Sequence, residues 1–249
     1  MVRLTSYVSL LTTLTACAVT PLSRRIQVGE EPFVIGVGEG SDSMTDLFAA
    51  PAGGGAFLRL TFTRAEERLP RLSPEGTSVV FVRREGNGEN PRWTLVVLNL
   101  LTTAEHSAPL PPGSDPPVRT GWARDGSAVV LAGGYFALAP EQDSLTLVPP
   151  AQQSAADSAT RELLGDPPAA MVGECAGGEL CITAANGDTT RLGSGDTGAI
   201  RWGSDSLGYF TPRGFEVRPL STGSSRRPDW SDKPAALRSL THHPGRIAR

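Results

Sequence analysis

Short apolar runs separated by turn-forming residues recur along the whole chain. The clearest example is Leu69–Arg83, where a short strand pattern leads into the turn Ser73–Gly76 and then into the unbroken apolar run Val79–Val82. No stretch of the chain has sustained apolar residues at helical spacing, which would mark amphipathic helices. The pattern therefore predicts strand, turn and strand in succession throughout the chain.

The same strand–turn–strand pattern of residues recurs along the chain. We align the units on the residue just before each inner turn. These residues are Leu72, Trp122, Leu163, Trp202 and Trp230, and the spacings between them are 50, 41, 39 and 28 residues. Most of these spacings lie near the ~40–45 residues of a four-stranded propeller blade, whereas the last is too short for one. The predicted strands are 32–37, 46–50, 57–62, 68–72, 78–83, 93–99, 106–110, 118–122, 128–131, 135–139, 145–148, 161–164, 169–174, 179–184, 189–192, 199–202, 206–210 and 215–220.

Several predicted strands are apolar at every position rather than at alternate ones. Val79–Val82 and Leu95–Leu98 are examples, and such strands need cover on both faces. Sheets stacked radially in a propeller provide that cover, whereas a two-sheet sandwich would leave more alternation. We predict an all-β fold, a β-propeller of about five to six blades with the last incomplete. That unfinished unit is also compatible with a truncated gene product.

The repeat resembles that of the TolB-type propellers. The resemblance is carried by Asp46–Gly55, Leu58–Thr61 and Leu69–Gly76, with weaker echoes at Trp122–Gly126 and Pro228–Lys233. Leu72 stands where that family usually has tryptophan, and Glu75 replaces the aspartate of the turn. The resemblance implies a propeller with protein partners in the cell envelope.

The first residues of the chain have the features of an export signal. Arg3 precedes the short apolar run Val8–Leu14, and small residues follow. Leu14–Cys17 resembles the lipobox of bacterial lipoproteins, which implies cleavage before Cys17, acylation of that cysteine and attachment to the periplasmic face of the outer membrane. The alternative is an ordinary signal peptide whose cysteine is incidental. The expected organisation is a signal peptide at 1–16, a tether at 17–25 and one propeller domain at 26–249.

Export to an oxidising compartment would allow the other two cysteines to form a disulfide. Cys175 and Cys181 flank the five residues Ala176–Leu180, a predicted hairpin turn, and we expect the two cysteines to face each other as a strand pair. Two separate buried thiols are the alternative. No third ligand has the spacing of a zinc site.

Composition and motifs limit the chemistry. The net charge of −3 over 249 residues gives no basic field for nucleic acid. The chain has no Gly-x-Ser-x-Gly nucleophile motif, its carboxylates are dispersed, and we expect no catalytic, cofactor or metal residues. His242 and His243 are interpreted as a solvated pair in a terminal tail. Trp122, Trp202 and Trp230 are expected to pack between blades, while Trp93 is expected to be partly exposed.

Four arginines at similar offsets from the inner turns form one candidate site. They are Arg71, Arg119, Arg161 and Arg201. They either line the channel and bind an anion or are simply paired turn residues. We therefore predict a non-enzymatic, lipid-anchored envelope module that binds a protein or a small ligand, held to the membrane by its N-terminal lipid. The alternative is a propeller enzyme acting on an envelope glycan or another anionic ligand at the channel mouth.

Overall fold

The computed structural model is built almost entirely from antiparallel β-sheets. It describes residues 22–40, 44–86, 90–117, 119–122, 128–132, 134–141, 144–147, 170–175, 179–184, 187–193, 200–203, 205–219 and 224–245. Within these ranges the only helical element is a single 3-10 turn at Leu22–Arg24. The all-β class predicted from the sequence is confirmed.

Each of the first three sheets has four strands. The first sheet contains β1 (Phe33–Glu39), β2 (Thr45–Pro51) and the short strand β4 (Leu58–Arg59), and the short strand β3 (Gly54–Ala56) lies between β2 and β4 in sequence but outside this sheet. The second sheet contains β5 (Glu66–Leu72), β6 (Ser78–Glu85), β7 (Arg92–Asn99) and β8 (Glu105–Pro109). The third sheet contains β9 (Arg119–Trp122), β10 (Ala128–Ala132), β11 (Gly134–Glu141) and β12 (Ser144–Leu147).

The next two sheets have three described strands each. The fourth sheet contains β13 (Ala170–Cys175), β14 (Glu179–Ala184) and β15 (Thr189–Gly193). The fifth sheet contains β16 (Ile200–Trp202), β17 (Ser206–Thr211) and β18 (Gly214–Pro219). The strands predicted for the second to fifth units agree with this order, except that 161–164 lies outside the described residues.

The last two strands return to the beginning of the chain. β19 (Asp229–Ser231) pairs in parallel with β3, and β20 (Ala235–His243) pairs antiparallel with β1. The first sheet therefore has the order β20, β1, β2, β4. The residues predicted to start an unfinished unit instead supply an edge strand of the first sheet. The predicted strand 57–62 is reduced to the two residues of β4, although the backbone N–H of Leu60 still donates to the carbonyl of Leu47 at 2.7 Å.

Apolar side chains fill the spaces on both sides of the second sheet. Val79 and Phe81 of β6 pack with Phe33 and Ile35 of the first sheet, whereas Val80 and Val82 pack in a separate cluster on the other face. This arrangement explains why the run Val79–Val82 within β6 is apolar at every position. Trp93 is buried in the second cluster, so the expectation that it is partly exposed is wrong.

The tryptophans of the repeat pack as expected. Trp202 and Trp230 are buried together against Phe215, with their ring centroids 6.3 Å apart. The indole N–H of Trp230 donates to the carbonyl of Pro51 at 2.8 Å, which connects the end of the described chain to its beginning. Leu22, close to the start of the described residues, is buried in the first core cluster.

The two cysteines of the fourth sheet are joined in a disulfide. The Cα atoms of Cys175 and Cys181 lie 5.7 Å apart on the hairpin β13–β14. The register pairs Cys175 with Glu179 and Gly173 with Cys181. The cysteines are therefore diagonal neighbours on the hairpin, not the directly opposed pair that was expected.

Candidate functional site

The edge strands of three consecutive sheets lie side by side. β5 contacts β20 on one side and β9 on the other. On the first side the backbone N–H of Leu72 donates to Thr241 Oγ1 at 3.3 Å. On the second side the indole N–H of Trp122 donates to the carbonyl of Arg71 at 3.0 Å, and the hydroxyl of Thr120 donates to the carbonyl of Leu69. These bonds hold the three strands in a fixed arrangement.

A bulge in β5 places two arginines on the same face of the strand. Arg68 pairs with Val82 and Arg71 with Val80, so Leu69 and Pro70 together oppose the single residue between those partners. Arg68 and Arg71 therefore point to the face that carries Val80 and Val82, although they are three residues apart. Leu69 accommodates the extra residue of the bulge with a φ of 57°, a left-handed conformation that is unfavourable for leucine.

β20 is irregular where it passes this bulge. Its pairing with β1 shifts on either side of the pair Val37–Arg238. Ala236 and Ser239 have φ values of 50° and 51°, again in the left-handed region. Three of the five non-glycine residues with positive φ in the described chain thus lie on β5 and β20. Strain of this kind is concentrated where a fold needs to aim particular side chains.

An open pocket lies between the two irregular strands. It has a volume of about 380 Å³ and is lined by Val37, Arg68, Leu69, Arg238 and Ser239. Its walls thus combine two aliphatic residues, two guanidinium groups and a hydroxyl. Pockets that bind small ligands have this mixture of apolar walls and a few polar groups.

A single carboxylate faces three guanidinium groups beside this pocket. Glu66 forms ion pairs with Arg68 at 2.6 Å and Arg84 at 3.4 Å, and the nearest nitrogen of Arg238 lies 3.8 Å from it. The same oxygen, Oε1, is the one within reach of both Arg68 and Arg238. Within this group of four side chains the positive charges exceed the negative charge by two.

Two of the four arginines predicted from the sequence come together next to this group. Arg71 of β5 is exposed to solvent and lies beside Arg119 of β9, which is also exposed. Desolvation in the space between the strands, and then the positive charge of Arg119, lower the pKa of Arg71. Arg161 lies outside the described residues, and Arg201 is described only as part of strand β16. The sequence pattern did not identify Arg68 and Arg238, because it is the bulge in β5 and the return of β20 to the first sheet that bring them to the pocket.

A second cluster of charged residues is buried between the first and second sheets. Asp46 of β2 and Glu67 of β5 are completely buried. Asp46 accepts from the backbone N–H of Thr63 at 3.2 Å and forms an ion pair with Arg59. The hydroxyl of Thr61 donates to Glu67 and its oxygen accepts from the backbone N–H of Leu47 at 2.9 Å. This cluster joins the two sheets.

The environment of Glu67 makes its carboxyl group unusually hard to ionise. Burial raises its pKa from 4.5 to about 7, with a smaller contribution from the charge of Asp46. The hydrogen bond from Thr61 and the ion pair with Arg83, 2.9 Å away, oppose that rise without overcoming it. We assign this cluster a structural role, because both carboxylates are closed off from solvent.

The two histidines near the end of the described chain belong to β20. The ring of His242 stacks on Trp202 with centroids 4.2 Å apart, and His243 is buried against Phe33. Burial, followed by the neighbouring His243 and Arg226, lowers the pKa of His242 to about 4. The prediction of a solvated pair in a terminal tail is therefore wrong, because the strand returns to the first sheet.

Neither a metal-binding cluster nor a membrane-spanning helix is found among the described residues. Within them, no group of three or more histidine, cysteine, aspartate or glutamate side chains is placed to hold a metal ion. None of the helical segments described is long and apolar enough to cross a membrane.

Comparison with known proteins gives distant structural likenesses and no match by sequence. No protein-family model matches the chain, and no curated protein matches its sequence. Among solved structures, the crystal structure of TolB from Acinetobacter baumannii aligns with a TM-score of 0.38 and 12% sequence identity. The alignment covers 82% of this chain and 54% of the TolB chain, so this chain spans about half of that protein's length.

Proposed function

We propose that this protein is a non-catalytic module that binds an anionic ligand at the exposed arginines of β5 and β9. The observation that carries the proposal is that Arg71 and Arg119 lie on the neighbouring strands β5 and β9, close enough for the charge of Arg119 to lower the pKa of Arg71. Neither of them forms an ion pair with a carboxylate among the described residues, and both reach solvent. Two like charges held side by side repel each other, and an anion bound between them would relieve that repulsion.

The proposed scaffold is a β-propeller in which the five sheets are blades. Two observations support a ring. The edge strands β16, β20, β5 and β9 contact one another in succession, and β20 from the end of the described chain completes the first sheet. In such a ring these strands surround the central channel, and the arginines of β5 and β9 would lie at its wall. Ligands commonly bind at the ends of such channels.

The proposed location is the cell envelope, with the protein anchored through a lipid on Cys17. The support is the sequence Leu14–Cys17 after a short apolar run. Metabolic labelling with a radioactive fatty acid tests the anchor in the wild type and in Cys17→Ala. Label in the wild type alone is expected, and equal label in both proteins would refute lipid attachment.

The binding proposal is tested by titrating the protein with citrate and inorganic phosphate in a calorimeter. We expect the substitutions Arg71→Gln and Arg119→Gln each to weaken binding by about tenfold, since each removes a hydrogen bond to a charged group. Arg92→Gln is the matched control, because Arg92 is an exposed arginine at the start of β7. If neither anion binds, or if all three variants bind as the wild type does, the proposal is wrong.

A further inference from the structure

We infer that the pocket between β1, β5 and β20 is a subsite for a carboxylate that carries a small apolar group. The inference rests on the proposed binding function and specifies the chemical class of the ligand. It concerns Arg68 and Arg238, which are distinct from the pair formed by Arg71 and Arg119. Glu66 occupies the position of the ligand carboxylate when the pocket is empty.

The first step is the convergence of two guanidinium groups on one point. Arg68 and Arg238 come from different strands, yet their nitrogens lie 2.6 Å and 3.8 Å from the same oxygen of Glu66. Both arginines also line the pocket. Their separation therefore already suits one carboxylate oxygen, and planar guanidinium groups bind carboxylates through charge-assisted hydrogen bonds.

The second step is that a ligand can displace Glu66 from Arg68 and Arg238 with little loss of protein stability. Its other oxygen, Oε2, is held by Arg84 at 3.4 Å, so the carboxylate of Glu66 keeps a cationic partner when a ligand takes over Arg68 and Arg238. Arg68 and Arg238 have about half of their side-chain surface exposed, at 45% and 47%. Ion pairs at such exposure contribute little to stability, so a ligand can replace them.

The third step is the shape and polarity of the pocket. Val37 and Leu69 form apolar walls, and Ser239 adds a hydroxyl that can donate or accept a hydrogen bond. A volume of about 380 Å³ accommodates a group of the size of a leucine side chain together with its carboxylate. A fully polar anion such as phosphate would leave the aliphatic walls without a partner, whereas a carboxylate with an apolar group satisfies both parts.

The backbone around the pocket is consistent with a binding site. The left-handed conformations of Leu69 and Ser239 fall on the two residues that border Arg68 and Arg238 in sequence. Such a conformation is unfavourable for a residue other than glycine. Bulges with such residues are a known means of re-aiming neighbouring side chains next to a site.

The test is calorimetric titration with N-acetyl-leucine, N-acetyl-leucinamide and inorganic phosphate. We expect N-acetyl-leucine to bind and its amide to bind at least about tenfold more weakly, because the amide lacks the charge that the arginines recognise. Arg238→Gln should weaken the binding of N-acetyl-leucine by about tenfold, and Glu66→Gln should strengthen it several-fold by removing the competing carboxylate. Circular dichroism of each variant checks that it is folded.

The possible results separate this inference from the proposed function. If phosphate or citrate binds in a manner that depends on Arg71 but N-acetyl-leucine does not bind, the pocket inference is wrong and the proposed function stands. Equal binding of the acid and the amide, or unchanged binding in both Arg238→Gln and Glu66→Gln, would also overturn the inference. If none of the anions binds, both the inference and the proposed function are wrong.

Discussion

Replacing Glu67 by glutamine should change the way in which the free energy of unfolding depends on pH. Glu67 is buried between the first two sheets and accepts hydrogen bonds from Thr61 and Arg83. Glutamine has nearly the same shape but cannot ionise. Arg83 keeps a carboxylate partner in the variant, because Glu105 lies 3.0 Å from it. The substitution therefore removes one ionisation without leaving a buried arginine unpaired.

The size and sign of the effect follow from the pKa of Glu67. The pKa is 4.5 for the free group and about 7 in the folded protein, so the folded state binds more protons between these values. The contribution of Glu67 to stability is complete below pH 4.5 and is lost as the pH rises through 7. From pH 5 to pH 8 this loss amounts to about 2.5 kcal/mol in the wild type and is absent in Glu67→Gln.

The measurement is urea denaturation followed by tryptophan fluorescence at pH 5, 6, 7 and 8. The difference in unfolding free energy between wild type and Glu67→Gln cancels the titration of groups that do not interact with Glu67, such as the two histidines of β20. That difference should shift in favour of the variant by about 2.5 kcal/mol across the range. Glu105→Gln, which changes the other carboxylate on Arg83, is the control and should show no such shift. A difference that stays constant with pH would refute the reasoning.

Three further predictions concern contacts of the last two strands, β19 and β20. Gly76→Ala should destabilise the protein more than Gly86→Ala. Both glycines have positive φ, but only at Gly76 would the new methyl group lie 2.6 Å from the ring of His243, and comparison of the two unfolding free energies isolates that contact. His242→Phe should keep the stack on Trp202 and remove the loss of stability that His242 causes in the wild type as the pH falls from 6.5 through about 4. Denaturation of both proteins at pH 4.5 and pH 7 measures this, and an equal loss of stability in both proteins would contradict it. Trp230→Phe should cost about 1 kcal/mol or more, because the carbonyl of Pro51 loses its indole donor, and an unchanged denaturation midpoint would argue against a role for that bond.

The strand pattern was predictable because it depends on residues close in sequence. The unbroken apolar run Val79–Val82 correctly predicted a strand covered on both faces. The turn Ser73–Gly76 correctly marked the boundary between β5 and β6, and its glycine has a φ of 70°. Such features are set by local conformation and by the alternation of side chains.

The candidate site was predictable only in part because it depends on how distant strands meet. Arg71 and Arg119 were found through their offsets in the repeat, which is a local signal. The bulge at Leu69 changes which residues share a face, and nothing in the spacing of Arg68 indicates it. The position of Arg238 depends on β20 pairing with β1, a contact between segments about two hundred residues apart. For the same reason the burial of His243 could not be deduced from its place near the end of the chain.

The pairing of β20 with β1 sets the order in which the protein can mature. During synthesis β1 and β2 emerge first, but one edge of β1 has no partner until residues 235–243 have been made. An unpaired strand edge is prone to join other chains, and contacts that span most of the sequence form slowly. The first sheet is therefore the last to be completed, and a ribosome that stalls before β20 releases a chain with an open edge.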